Sequence, residues 1–348
     1  MKGNEAVSEA AVMAGCRHYF GYPITPQNEI AAYMSARMPK VDGVFLQAES
    51  EIGAIQMVFG ASAAGVRAMT SSSSPGIALK SEGLSYMAGC DLPAVVVNIQ
   101  RGGPGLGGIQ PSQADYFLAT RSAGHGDFHM IVIAPDSVQE MFDFTYNAFD
   151  LADKYRITVM ILSDGILGQM MEPVDISAKP TVKLPVKDWA ANGTGGKRER
   201  NIINSLHIKA EDLEQENFKR YEKYKKIEEA ETKHEEYRTE DADIIVVAYG
   251  AVSRIARNAI DDARTCGIKV GLFRPVTVWP FPGDALFALA KKAKAFVAAE
   301  MSMGQMIEDV KLSIRCSRPV LPCIRTGGVV PLPEEIIAKI EEANKIKN

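Results

Sequence analysis

Tyr19-Phe20-Gly21-Tyr22-Pro23-Ile24-Thr25-Pro26 joins a strand-like pair, Tyr19-Phe20, to a helical pattern over residues 27–37. Prolines on either side of Ile24 and Thr25 leave the backbone little freedom, so the Thr25 hydroxyl is aimed rather than free. Pro26 fits the first helical position and Thr25 the N-cap before it. A polar loop then meets a helix N-terminus, where negative charge is stabilised. Thr25 reads as an ordinary cap or as a ligand-binding hydroxyl.

The same kind of joint recurs along the chain. Residues 4–16 are helical in pattern, with Asn4 placed as a cap. Strand-like runs at 44–48, 66–70, 94–99, 130–134 and 157–162 then alternate with helical segments. Such alternation predicts an α/β fold, a doubly wound parallel sheet with helices on both faces. Ligands of these sheets sit in the loops beyond the strand ends. Beside the Thr25 loop, three others stand out: Ser71-Ser72-Ser73-Ser74-Pro75-Gly76, Arg101-Gly102-Gly103-Pro104-Gly105-Leu106-Gly107-Gly108, and Ser163-Asp164-Gly165.

The alternation stops after Met171. Residues 172–208 read as an irregular connector holding Trp189, and 209–238 as one highly charged helix with a thin stripe of Leu213, Phe218, Tyr221, Tyr224 and Ile227. That helix reads as a solvated arm or as a partner contact. Strand-like runs at 244–248, 269–273, 295–299 and 320–324 then alternate with helical patterns at 252–266, 284–293, 304–315 and 333–346, a second and smaller α/β unit. The expected organisation is a first domain over 1–175, a connector with the charged helix over 176–240, and a second domain over 241–348.

With 348 residues, 46% of them hydrophobic and 24% charged, the chain has the profile of a soluble globular protein. A net charge of −4 argues against a nucleic-acid or anionic-membrane surface. No apolar run reaches membrane-span length, and Met1-Lys2-Gly3-Asn4 leads straight into a helical pattern without a signal-peptide core, so a cytoplasmic protein is expected. Cys16, Cys90, Cys266, Cys316 and Cys323 are scattered and form no Cys-x-x-Cys pair, which argues against disulfide, zinc or iron–sulfur frameworks in this chain. They are expected to be buried thiols in a reducing compartment. His18, His125, His129, His207 and His234 show no ligand spacing and read as core or surface histidines.

Glu49 and Glu51 stand where a strand meets an almost wholly apolar helix. A carboxylate there is a partner of the helix dipole or a proton-handling group; spacing alone favours the dipole. Arg101 follows a buried strand and opens a glycine-rich loop. Its guanidinium can grip a carboxylate with two hydrogen bonds, or merely tie the loop to an acid. The loop lacks the Gly-Lys-Ser/Thr ending of a phosphate loop and the spacing of a dinucleotide fingerprint.

Together, Gly3-Asn4-Glu5-Ala6, the Gly21–Pro26 loop, Glu49-Ser50-Glu51, Arg101-Gly102-Gly103-Pro104, Asp164-Gly165, Arg274-Pro275 and Trp279-Pro280-Phe281-Pro282 resemble the alpha subunit of 2-oxoacid:ferredoxin oxidoreductases. The resemblance runs almost the length of the chain. The run from Gly105 to Tyr116, with Gln110-Pro111-Ser112-Gln113-Ala114-Asp115, is most similar to the branched-chain (2-oxoisovalerate) members. It implies a pyrimidine-type thiamine diphosphate domain followed by a transketolase C-terminal-like domain. It also implies thiamine-diphosphate-dependent oxidative decarboxylation of a 2-oxo acid, with acyl transfer to coenzyme A and electrons passed to ferredoxin. By the resemblance, Glu51 hydrogen-bonds the cofactor's aminopyrimidine and favours the imino tautomer, whose nitrogen takes the thiazolium proton. Pro23 and Ile24 lie at the cofactor, Thr25 faces the substrate's oxo group, and Arg101 its carboxylate, whereas Glu49 is structural. Magnesium, the diphosphate site and the iron–sulfur clusters are implied for partner chains: a beta subunit, a gamma subunit and a ferredoxin-like delta subunit.

Near Arg101 and Thr25 the sequence offers Leu106, Ile109, Pro111 and Gln27, and no Lys or Arg before Arg121. An apolar pocket suits a branched aliphatic chain, whereas a second carboxylate needs a second cation. A 2-oxoisovalerate substrate is therefore expected, with 2-oxoglutarate the runner-up. The competing reading from another class is a non-catalytic module that binds a small acid or scaffolds an assembly.

Overall fold

The computed structural model describes residues 1–121, 123–177 and 186–347. Strands β1 (His18–Gly21), β2 (Val44–Gln47), β3 (Ala68–Ser72), β4 (Ala94–Gln100), β5 (Ile131–Ile133) and β6 (Thr158–Asp164) run parallel in the order β5-β6-β4-β3-β1-β2. Every residue of β3, β4 and β6 is buried, because helices cover both faces of a parallel sheet. Those helices are α1 (Gly3–Met13), α2 (Asn28–Arg37), α3 (Glu51–Ala63), α4 (Ser74–Leu79), α5 (Ser81–Gly89), α6 (Tyr116–Thr120), α7 (Val138–Tyr155) and α8 (Gly165–Gln169). From β1 the chain steps outward to β2, then returns to lay β3 on the other side of β1. Connections that diverge in this way open a crevice at the strand ends. The loops after β1 and β3 and the start of α3 meet there.

Helix α9 (Ala210–Glu231) leads into β7 (His234–Tyr237), β8 (Ile244–Val247), α10 (Gly250–Thr265), β9 (Val270–Pro275), β10 (Thr277–Trp279), α11 (Gly283–Ala290), β11 (Ala295–Glu300), α12 (Met306–Ser313), β12 (Val320–Ile324) and α13 (Pro333–Asn344). A second sheet has the order β12-β11-β8-β9-β7, parallel but for β7, which is antiparallel to β9. Strand β10 leaves that unit and pairs antiparallel with β5, at the edge of the first sheet. The two sheets are thus stitched together by one short strand. A seam also forms where Gln113 N donates to Met301 O (2.9 Å) and Met301 N donates to Gln113 Oε1 (3.0 Å).

Four local expectations are corrected. Asn4 does not cap α1; Lys2 does, and the buried Asn4 amide donates instead to Pro26 O at 2.9 Å. Helix α2 begins at Asn28 with Gln27 as its N-cap, so Pro26 is not the first helical residue and Thr25 is not the cap. The charged helix ends at Glu231, and residues 234–237 are strand, because His234 stacks on Phe273 (5.0 Å) and the segment completes the second sheet. Cys16, Cys90 and Cys323 are buried, but Cys266 and Cys316 are exposed in the turns after α10 and α12. Part of the expected connector, residues 178–185, lies outside the described residues.

Helix α9 is more than a solvated arm. Tyr224 and Ile227 are buried, and the Tyr224 hydroxyl accepts from His129 N at 3.1 Å. His129 in turn stacks on Trp279 with centroids 4.6 Å apart, and burial lowers its pKa. Among the described residues no helix is long and apolar enough to cross a membrane.

Candidate active site

Arg101 is the first residue beyond the fully buried β4, so the strand fixes where its side chain starts. Its N–H donates to Ser74 Oγ (3.0 Å), and that hydroxyl lies 2.6 Å from Asp115 Oδ2. Asn98 closes the network: its amide donates to Asp115 Oδ2 (2.9 Å) and accepts from Ser74 N (3.2 Å). Burial pushes the Asp115 carboxyl above its ordinary range, against the pull of the Ser74 and Asn98 hydrogen bonds.

The Arg101 guanidinium donates from Nη1 to Thr25 O (3.0 Å) and from Nη2 to Leu106 O (3.3 Å). Arg101 is only 8% exposed, its Nε has no partner, and among the described residues no carboxylate pairs with it. A buried guanidinium held only by neutral carbonyls is costly without a counter-charge. The arrangement fits an incoming carboxylate, which the planar fork can take on two hydrogen bonds.

Thr25 and Arg101, far apart in sequence, are therefore neighbours. The Thr25 hydroxyl accepts from Asn28 Nδ2 at 3.3 Å and stays half-buried, beside exposed Pro23 and half-buried Ile24. Asn4 and Gln169 both bond Pro26 O, at 2.9 and 3.0 Å, and so anchor this loop from α1 and α8.

Glu51 opens α3, where the Ser50 hydroxyl caps the helix by accepting from Gly53 N (3.1 Å). Glu51 is 6% exposed, and among the described residues its carboxylate accepts no hydrogen bond and forms no ion pair. It lies against Gly76 at the start of α4, where any side chain would collide with Glu51 Oε1 and Ser72 Oγ. The sheet end thus holds a cradle in which a carboxylate faces bare backbone. Glu49, by contrast, is exposed and packs over Gly53.

Sequence reasoning missed two features. Lys80 is fully buried, with Nζ 3.3 Å from Glu51 O; burial pushes its pKa down to about 8, and the Glu51 charge pulls the other way. The Asn98–Asp115–Ser74 network was also missed, although Asn98 and Gln100 in the otherwise apolar run Ala94–Gln100 were a readable signal. Asp164 is a cap: it accepts from Ile166 N (2.8 Å) and Leu167 N (3.2 Å), and burial raises its pKa to about 6. Among the described residues, the side chains expected to line an apolar pocket do not close one. Leu106 is 85% and Ile109 59% exposed, and buried Gln27 accepts from Ser71 Oγ at 2.5 Å. Arg121, the nearest basic residue in sequence, is occupied by Asp309.

Residues 9–240 match the family model described as pyruvate flavodoxin/ferredoxin oxidoreductase, thiamine diphosphate-binding, and residues 242–336 match pyruvate:ferredoxin oxidoreductase core domain II. The chain belongs to this family. It is a 2-oxoacid:ferredoxin oxidoreductase subunit, with the thiamine-type doubly wound sheet of that family. Ketoisovalerate oxidoreductase subunit VorB of Methanothermobacter marburgensis is 49% identical over 98% of this chain and 97% of the relative. The 2-oxoglutarate synthase subunit KorA of Methanocaldococcus jannaschii is 37% identical, over 97% of each chain. The 2-oxoglutarate:ferredoxin oxidoreductase of Magnetococcus marinus, solved with 2-oxoglutarate, coenzyme A and succinyl-CoA bound, superposes with a TM-score of 0.87 at 29% identity. That alignment covers 99% of this chain and 64% of the other, so this chain spans less than two thirds of that relative.

Proposed function

We propose that this chain is the alpha subunit of a cytoplasmic oxidoreductase that oxidatively decarboxylates 2-oxoisovalerate to an acyl-coenzyme A and reduces ferredoxin. The observation that carries the reading is a pair of buried, opposite charges, Glu51 and Arg101, unpaired with each other or with any other described side chain. Such a pair suits one ligand with a basic ring edge and another with a carboxylate.

Thiamine diphosphate, when bound, supplies the electron sink on which a 2-oxo acid loses CO2. In this reading Glu51 holds the proton shared with the pyrimidine ring, and Gly76 gives the ring room. Pro23 and Ile24 border it. Arg101 grips the substrate carboxylate, and the Thr25 hydroxyl lies at the oxo oxygen. The diphosphate and its magnesium, and the iron–sulfur clusters, are assigned to a beta partner, with gamma and ferredoxin-like delta subunits completing the assembly. Exposed Leu106 and Ile109 on the Arg101 loop suit contact with such a partner. In this reading, residues 1–175 form the cofactor domain, 176–240 the connector with its charged helix, and 241–348 the second domain.

The branched-chain assignment is favoured over 2-oxoglutarate because Arg121 is taken by Asp309, leaving no cation on this loop for a distal carboxylate. In the complex reconstituted with its beta partner, Glu51→Gln should lower turnover roughly 10²–10⁴-fold while leaving the fold intact. Glu49→Gln should lower it far less. Equal losses in the two variants would overturn the assignment of Glu51. Steady decarboxylation by the chain alone would overturn the shared-site reading.

A further inference from the structure

Lys80 is a buried cation that the reading above does not use. It closes α4, one turn beyond Gly76, and its side chain runs inward to the first residue of α3. Lys80 is 0% exposed and forms no ion pair with a carboxylate among the described residues. A fully buried lysine without an ion pair is costly, and an apolar side chain would fill the same space at no electrostatic cost. Its one hydrogen bond, 3.3 Å to Glu51 O, accounts for a single one of its three donors.

We propose that Lys80 is a positioning residue for Glu51, its ammonium holding the Glu51 main chain at the start of α3 and offsetting the charge of the buried carboxylate at the cofactor cradle. The inference rests on the assignment of Glu51 to the thiamine diphosphate site. Other charged groups on the surrounding elements are placed to do less. Glu49 on the α3 side is exposed over Gly53, and Glu82 on α5 is exposed and bonded by the Tyr86 hydroxyl. At the end of β4, Arg101 is held by the carbonyls of Thr25 and Leu106, and Asp115 by Ser74 and Asn98. The low proton affinity of Lys80, down to about 8, shows the strain of its burial, and it leaves the group charged at neutral pH.

A carboxylate that hydrogen-bonds a weakly basic ring nitrogen needs one proton between the two atoms. An ionised Glu51 must therefore take up a proton when the cofactor binds. Removing the ammonium makes the empty carboxylate easier to protonate, so uptake on binding should fall.

The test is calorimetric titration of thiamine diphosphate, with magnesium, into the reconstituted complex, in buffers of different ionisation enthalpy and over a pH series. Wild type should take up a proton at neutral pH. In Lys80→Met the profile of uptake against pH should move upward by about one pH unit, and Lys80→Arg, which keeps the charge, should leave it in place. Lys80→Gln serves as the second neutral variant should the methionine fail to assemble. Profiles of the neutral variants that coincide with wild type would overturn the proposal, as would a purely uniform loss of affinity. Glu51→Gln separates the two layers. If it abolishes uptake while the Lys80 variants change nothing, the role of Lys80 falls and that of Glu51 stands. If Glu51→Gln retains wild-type uptake, both fall.

Discussion

Among the described residues Arg101, Arg220 and Arg274 are the buried arginines, and Arg101 and Arg274 are matched in opposite ways. Arg274, 1% exposed on β9, is ringed by Asp136 (2.6 Å), Glu235 (3.0 Å) and Glu140. The guanidinium of Arg101, 8% exposed after β4, meets only carbonyl oxygens among the described residues. Both leave Nε without a partner, so an orphaned N–H does not distinguish them. Charge does. Arg274 has three carboxylates around it, two of them shared with Arg257, and ties α7 to the second sheet. Arg101 has no carboxylate partner among the described residues, and in the proposed reading the carboxylate of the substrate supplies that counter-charge.

The comparison is most sharply broken at Arg101. Arg101→Met should cost roughly 10³–10⁴ in kcat/KM for the 2-oxo acid, since in the proposed reading the substrate carboxylate loses the guanidinium that grips it. Its melting temperature should hold or rise, because an uncompensated buried charge has been removed. A variant that unfolds instead would place Arg101 with Arg274 as a structural group. Arg274→Met should do the reverse and lower stability by about 3–5 kcal/mol in denaturant titration, leaving Glu140 without an ion pair among the described residues and Asp136 and Glu235 with Arg257 alone. The residual complex should keep its substrate KM.

Lys80 lies between these extremes, a buried cation beside a carboxylate but not bonded to it. Its pKa falls from 10.5 to about 8 on folding, so the folded state binds this proton less well than the unfolded chain. The penalty is absent above the unfolded value and fully present below about 8. Lys80→Met should therefore be more stable than wild type at neutral pH, by an amount on the order of 3 kcal/mol. The gap should close as pH rises from 8 towards 10.5. Thermal unfolding across that window checks the sign, and a gap that widens would be the wrong one. The smallest effect concerns the aliphatic side chain of the substrate in the assembled complex. Two extra methyl groups at roughly 0.8 kcal/mol each should favour 3-methyl-2-oxobutanoate over pyruvate by about tenfold in kcat/KM. A preference for 2-oxoglutarate would show that a cation from elsewhere reaches the distal carboxylate.

The sequence by itself determined the alternation of strands and helices, because period-2 and period-3.6 patterns are local and each buried strand must be apolar on both faces. It also placed Glu51, Thr25 and Arg101 at strand ends, through glycine and proline punctuation that depends only on neighbouring residues. Helix starts were less legible. Thr25 looks like a cap, but tertiary bonds from Asn4 and Gln169 to Pro26 O hold the loop open for two more residues before α2 begins. Strand β7 hid inside a charged run because its side chains alternate between half-buried and exposed, and only pairing with β9 makes it a strand. The tertiary structure alone decided which charges are matched. Arg274 and Arg101 look alike in sequence, and Lys80 looks like a helix-end lysine. Whether a carboxylate lies opposite each is a property of residues scores of positions away, and that long-range pairing sets Arg274, held by the chain's own carboxylates, apart from Arg101, proposed to grip one from a ligand.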